Sequence, residues 1–138
     1  NDSVSFDLEY SWAESRFSRR VNGFDEVPGA LSDVFSGGVS LSLRKNLEAA
    51  LRLRHFDDYA LDDGEEAEGS TLLNLRISYT PTPNFSITAD VLNLTDSSDH
   101  DVEYFYESQL SGEASAVADH HYHVFEPRSV RLYLTYSF

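Results

Sequence analysis

Alternation between apolar and polar residues, renewed six times along the chain, limits what this sequence can fold into more than any other feature. In the closing stretch SVRLYLTYSF, Val130, Leu132, Leu134, Tyr136 and Phe138 fall on one side. Arg131, Tyr133, Thr135 and Ser137 fall on the other. A period of two is the signature of a strand with unlike faces. The same pattern runs through Val4–Trp12, Phe35–Leu43, Leu47–Arg54, Leu73–Tyr79 and Phe85–Val91. The fold class is therefore all-β, an antiparallel meander of about six amphipathic strands, with no helix of comparable strength.

Two connections are tight turns rich in Pro and Asn, Arg44–Asn46 and Pro81–Asn84. Three are long: Glu14–Asp33, Asp57–Ser70 and Asp96–Ser129. Loops beyond about 12–15 residues are uncommon in compact domains and are usually functional. Short turns at one end and long loops at the other are the asymmetry of transmembrane β-barrels. Aromatics sit at the strand ends (Tyr10, Trp12, Tyr79, Phe85, Tyr136, Phe138), as in the girdles at membrane interfaces. The polar face carries Asp7, Glu9, Arg52, Arg54, Arg76, Asp90 and Arg131, the charges a polar lumen would hold. A soluble β-sandwich with a charged solvent face fits the same alternation.

The chain has 24 acids against 10 bases, a net charge of −14, which argues against a nucleic-acid partner. It has no Cys, hence neither a disulfide scaffold nor a thiolate metal site. With no Met and Asn1 in first place, it reads as part of a longer product. No apolar run approaches the roughly 18–20 residues of a membrane helix.

Acids crowd the long loops. DDYALDDGEEAEG holds seven, among them Asp62, Asp63, Glu65 and Glu66, and no base. Carboxylates suit hard divalent cations, yet no spacing matches an EF-hand, and solvated repelling loops account for the pattern as well. In DHHYH, strand periodicity points His121 and His123 the same way, but nothing else supplies a metal frame. Tyr104, Phe105, Tyr106, Tyr122 and Phe125 fit either an aromatic ligand rim or the packing of a two-stranded loop, DVEYFYES against HYHVFE.

The stretches VPGALSDVFSGGVSL, GSTLLNLRISYTPTPNFSITADVLNLTDSSDHDVEYFYES and EPRSVRLYLTYSF together resemble the C-terminal barrel segment of the TonB-dependent outer-membrane receptors. DVLNLTD looks like the family's penultimate strand running into the last outer loop, and EPRSVRLYLTYSF like its final strand. The resemblance implies a wall of about 22 strands in the outer membrane of a Gram-negative bacterium. Residues 1–138 would be the C-terminal portion of that wall, with the plug domain and earlier strands absent. It further implies uptake of a scarce ligand such as a ferric siderophore, cobalamin or a glycan, with no covalent chemistry and no cofactor. The implied partners are outer-membrane lipid and lipopolysaccharide, the protein's own plug domain, TonB and the barrel assembly machinery.

On that reading the outer loops offer Arg16, Arg19, Arg20, Tyr104, Tyr106, His121, Tyr122 and His123 to the ligand. Arg52, Arg54, Arg76, Asp90 and Arg131 face the lumen, and Tyr136 and Phe138 form the assembly signal. Asn1 lies at the short-turn end. Across the PTPN turn, paired residue numbers are expected to sum to about 164, setting Tyr79 opposite Phe85; a sum of 166 sets Arg76 opposite Asp90. Either way Asp90 sits between Arg76 and Arg131. Six strands cut for a wide wall should form an open sheet, whereas a small autonomous barrel would recruit 101–107 and 121–126 to reach eight.

Overall fold

A computed structural model describes residues 3–138, so the expected position of Asn1 lies outside the described residues. The strands are β1 (Ser3–Trp12), β2 (Arg16–Val21), β3 (Phe24–Glu26), β4 (Asp33–Arg44), β5 (Leu47–Phe56) and β6 (Tyr59–Ala60). They continue with β7 (Glu66–Ala67), β8 (Ser70–Thr82), β9 (Phe85–Leu92), β10 (His100–Ser108), β11 (Val117–Val124) and β12 (Ser129–Tyr136). One 3₁₀ turn, Asp62–Gly64, precedes β7, and no α-helix occurs among the described residues.

Six strands form one antiparallel sheet in the order β1-β4-β5-β8-β9-β12. Each corresponds to one of the six alternating segments, most of them slightly extended and β12 ending at Tyr136. The other strands make three small hairpins, β2-β3, β6-β7 and β10-β11, all in the long connections and so all at one end. Segment 101–107 pairs with 118–124 and not with the large sheet, so the second expected segment, 121–126, is corrected to β11, which begins four residues earlier and ends two earlier. Strands β1 and β12 stay at opposite edges, so no small eight-stranded barrel closes.

The register makes the two faces continuous. Phe6, Val39, Leu51, Leu75, Val91 and Val130 lie in one row on the apolar face. The next row towards the short turns is Val4, Leu41, Ala49, Ile77, Ala89 and Leu132. Tyr79, Phe85 and Tyr136 lie beyond it, and Tyr10 and Phe35 lie towards the opposite end. Neither face of the large sheet is covered: the extensive contacts between its strands and other elements are those of strand pairing. Phe6 is 82% exposed and Leu132 65%.

The buried apolar residues are Leu61, Ala67 and Phe125, all in the loop layer. A folded monomer of 15.6 kDa should expose about 7,200 Å², whereas this chain exposes 10078 Å². A sandwich would cover one face with a second sheet; here none does so.

Two expectations about the register are corrected. Tyr79 faces Ile87 and Ile77 faces Ala89, so the pairs sum to 166 and Tyr79 does not face Phe85. Strand β8 runs through Pro81 to Thr82, with a bulge between Tyr79 and Thr82, leaving Pro83 and Asn84 as the turn. The extra residue absorbed by the bulge shifts every pair above it. Phe138 lies beyond the last strand, yet its neighbour is anchored. Ser137 donates its N–H to the Asn84 carbonyl (2.9 Å), and Asn84 Nδ2 donates to the Ser137 carbonyl (2.9 Å).

Candidate functional site

The polar face of the sheet is organised as cross-strand charge pairs. Arg76 donates from Nε and Nη2 to the two carboxylate oxygens of Asp90, at 2.6 and 2.7 Å. Such a planar fork fixes orientation as well as charge. Arg131 is the register partner of Asp90 on the other side, so Asp90 does stand between the two arginines, bonded to the first. Two strands along, Arg52 reaches Asp7 at 2.9 Å across Gly38. A Cβ at Gly38 would lie 2.9 Å from Asp7 Oδ1, so the glycine is what lets these side chains meet. Arg54 lies 4.8 Å over the ring of Phe56, as a cation–π contact. Asp90→Ala should leave Arg76 and Arg131 facing each other, and should lower the urea midpoint of the assembled protein more than Arg131→Ala does.

At the loop end the three excursions meet. Gly29 donates its N–H to the Ala60 carbonyl at 2.9 Å, and the Phe24 ring lies against Gly64. Tyr59 links the second excursion to the third, its hydroxyl accepting the Glu103 N–H at 2.9 Å. Between the first two excursions is a cleft of about 310 Å³, walled by Glu14, Arg16, Glu26, Asp57, Asp58 and Glu66.

The residues expected to meet a ligand do not form one group. Arg16 is bound to Glu14 (2.5 Å) and Asp25 (3.2 Å), so it braces its own hairpin. Arg19 and Arg20 are exposed on β2 without an ion pair among the described residues. In the β10-β11 hairpin Tyr104 pairs with His121, and Tyr106 stacks on His121 with ring centroids 3.9 Å apart. His123 bonds Asp101 (2.9 Å) on the same face. Tyr122 lies on the opposite face, stacked on His100 at 3.9 Å. Two-stranded packing, one of the two readings of these aromatics, is what the hairpin shows; the face bearing Tyr104 and Tyr106 stays open.

Asp62 and Asp63 are exposed on the 3₁₀ turn. No three His, Asp or Glu side chains converge on a common metal position among the described residues. Glu65 instead approaches His120, at 3.5 Å from Nε2.

Sequence reading missed the two best-bonded groups here. Asn93, 3% exposed, has a positive φ of 50°. Its amide accepts from the Ser97 N–H (2.9 Å) and donates to the carbonyls of Ser97 (2.8 Å) and Glu126 (2.9 Å). Its own N–H donates to Asn74 Oδ1 at 2.9 Å. Asp96 Oδ1 accepts the Arg128 N–H (2.8 Å), and Asp99 Oδ2 accepts the Thr71 N–H (3.0 Å). DVLNLTD thus closes the neck of the last loop.

The second group centres on Glu103, which is buried. His100 Nδ1 and His120 Nδ1 lie 3.1 and 2.6 Å from its two oxygens. Burial pushes this carboxyl up, but the two imidazoles outweigh it and hold Glu103 below the usual range. The signal was present as an i, i+3 His–Glu spacing and DHHYH, but only the hairpin register joins them.

No protein-family model matches the chain, and no curated protein matches it by sequence. Among solved structures it is similar to the ferric-catecholate import receptor Fiu of E. coli K12 in its closed form, with a TM-score of 0.70 at 14% identity. The likeness covers 95% of this chain and 18% of that receptor's chain, so the chain spans less than a fifth of the receptor's length. At that identity the likeness is one of fold. The chain thus shares the fold of part of that receptor's chain.

Proposed function

We propose that this chain is a C-terminal wall segment of a TonB-dependent outer-membrane receptor, taking up a scarce ligand such as a ferric siderophore. The observation that carries this reading is the large sheet with a bare apolar face, aromatics at both ends of that face, and charge pairs on the other. In water such a face is a liability. Against hydrocarbon it is the expected surface of a barrel wall. The unpaired edges β1 and β12 would join neighbouring strands of the same wall, since an open edge invites pairing. The polar face would look onto a plug, with Arg52, Arg54, Arg76, Asp90 and Arg131 among the lumen charges. The ferric-catecholate receptor with the same fold supports the choice of ligand class, and chelated iron is held by contacts, without chemistry on the chain. Tyr136 and Phe138 would serve the assembly machinery.

This segment has no Cys, so single cysteines placed in it report orientation in the full-length protein once any cysteine elsewhere is replaced by serine. Ala114→Cys lies in the β10-β11 hairpin connection and Lys45→Cys in the β4-β5 turn. A membrane-impermeant maleimide should label position 114 on intact cells, and position 45 only after the outer membrane is permeabilised. Equal labelling of both on intact cells, or recovery of the protein in the soluble fraction, overturns the reading. Uptake of ferric siderophores that does not change on deleting the gene would remove the ligand class while leaving the wall assignment.

A further inference from the structure

We propose that His120 is a proton-operated latch between the β10-β11 hairpin and the 61–67 turn, closed while its imidazolium bridges Glu103 and Glu65. The ring lies between two carboxylates and uses opposite nitrogens, Nδ1 at 2.6 Å from Glu103 Oε1 and Nε2 at 3.5 Å from Glu65 Oε2. Only the doubly protonated ring donates at both positions, because a neutral imidazole has one N–H and one lone pair. On losing a proton, His120 keeps the shorter bond to buried Glu103. Its bare Nε2 lone pair then faces the Glu65 carboxylate. That contact turns from attraction to repulsion, and the turn carrying Glu65 is let go. A metal cannot replace the proton here, since the two carboxylates address opposite edges of the ring.

The surroundings favour release once the bridge is broken. The 3₁₀ turn carrying Asp62 and Asp63 packs against β10. The hairpin contributes Asp101, Glu103 and Asp119, the last accepting the backbone N–H of His120 at 2.8 Å. Glu66 adds a further carboxylate on the turn, His100 holds the second oxygen of Glu103, and Tyr59, from the same excursion as the turn, accepts the Glu103 backbone N–H. The two elements therefore bring like charges together, with His120 as the cation between them. This gives the crowded acids of the loops a role: they store the repulsion that opens the turn.

The hydrogen bond to Glu103, only partly opposed by burial, and then Glu65 raise the His120 pKa above the ordinary imidazole value. A raised histidine stabilises the closed form fully below about pH 6.5, and that stabilisation is lost as pH rises through the raised value. Glu103 is shifted down, so its share is present above the free carboxylate value and fails as pH falls through the lowered one. The latch thus works between those two limits and opens on the alkaline side through His120. The loop geometry stands whether or not the sheet lies in a membrane, so the latch and the receptor reading can fail separately.

Spin labels at Asp62→Cys and Ala118→Cys in the full-length protein, with any other cysteine replaced by serine, measure the separation of turn and hairpin. Frozen at pH 5.5, the distances should be short and narrowly distributed; at pH 9 they should lengthen and broaden. The open-to-closed ratio should rise by up to about tenfold per pH unit between the free and raised imidazole values. Glu65→Gln should stay closed at both pH values, because its amide N–H donates to the bare Nε2. His120→Phe should be open at both. A wild-type distribution unchanged between the two pH values, or Glu65→Gln opening as wild type does, overturns the latch.

Discussion

Leu51→Arg in the full-length protein should destabilise the bilayer-inserted barrel by about 2–4 kcal/mol, the cost of a cation on the lipid face at mid-depth. Leu51 lies in the central row of the apolar face, between Val39 and Leu75, with rows of side chains above and below it. Ser40→Arg, on the polar face one residue from Val39, should cost no more than about 0.5 kcal/mol, as for a surface substitution that breaks no buried contact. Refolding titrations into lipid bilayers compare the two. Asn74 is the poorer control, because its side chain holds the Asn93 N–H. Equal costs at 51 and 40 would reverse or abolish the face assignment.

Asn93→Ala should be the most damaging polar truncation in the chain, costing about 2–4 kcal/mol through unsatisfied buried partners. The Ser97 N–H and the carbonyls of Ser97 and Glu126 lose their partner together, and Ala must still adopt a positive φ. Asn is one of the few residues that tolerates that conformation. Asn93→Gly relieves the backbone but not the lost bonds, so it should recover only the backbone part, about 1 kcal/mol. The readout is the thermal midpoint together with proteolysis of the 97–128 loop. Since the neck is tied at Ser97 and at Glu126, cleavage there should accelerate while the sheet persists. Loop cleavage at the wild-type rate would show that Asp96 and Arg128 close the neck alone.

Six strands, their order and the sidedness of the long loops were legible without coordinates. Each of these is written locally, in a period of two that any chain of these residues must obey and in the turn residues that interrupt it. The hairpin after the last long-loop neck was legible for the same reason, though its second strand runs from Val117 to Val124 and not over HYHVFE. Register was not. It turned on one bulge between Tyr79 and Thr82, and a bulge leaves alternation intact on either side while displacing every pair above it.

The loop chemistry was the least legible. Glu103 and His120 are 17 residues apart, and Glu65 comes from a different excursion. Neither propensity nor spacing brings three such residues together, because their proximity depends on how separate loops pack over one sheet end. Asn93 was visible as part of a motif, but its role depends on Glu126 returning from 33 residues away. What the residues alone determined is a two-faced sheet, since alternation is a property of neighbours. Which carboxylate meets which imidazole, and which amide closes the last loop, only the tertiary structure decided, because those contacts join segments that sequence neighbours do not constrain.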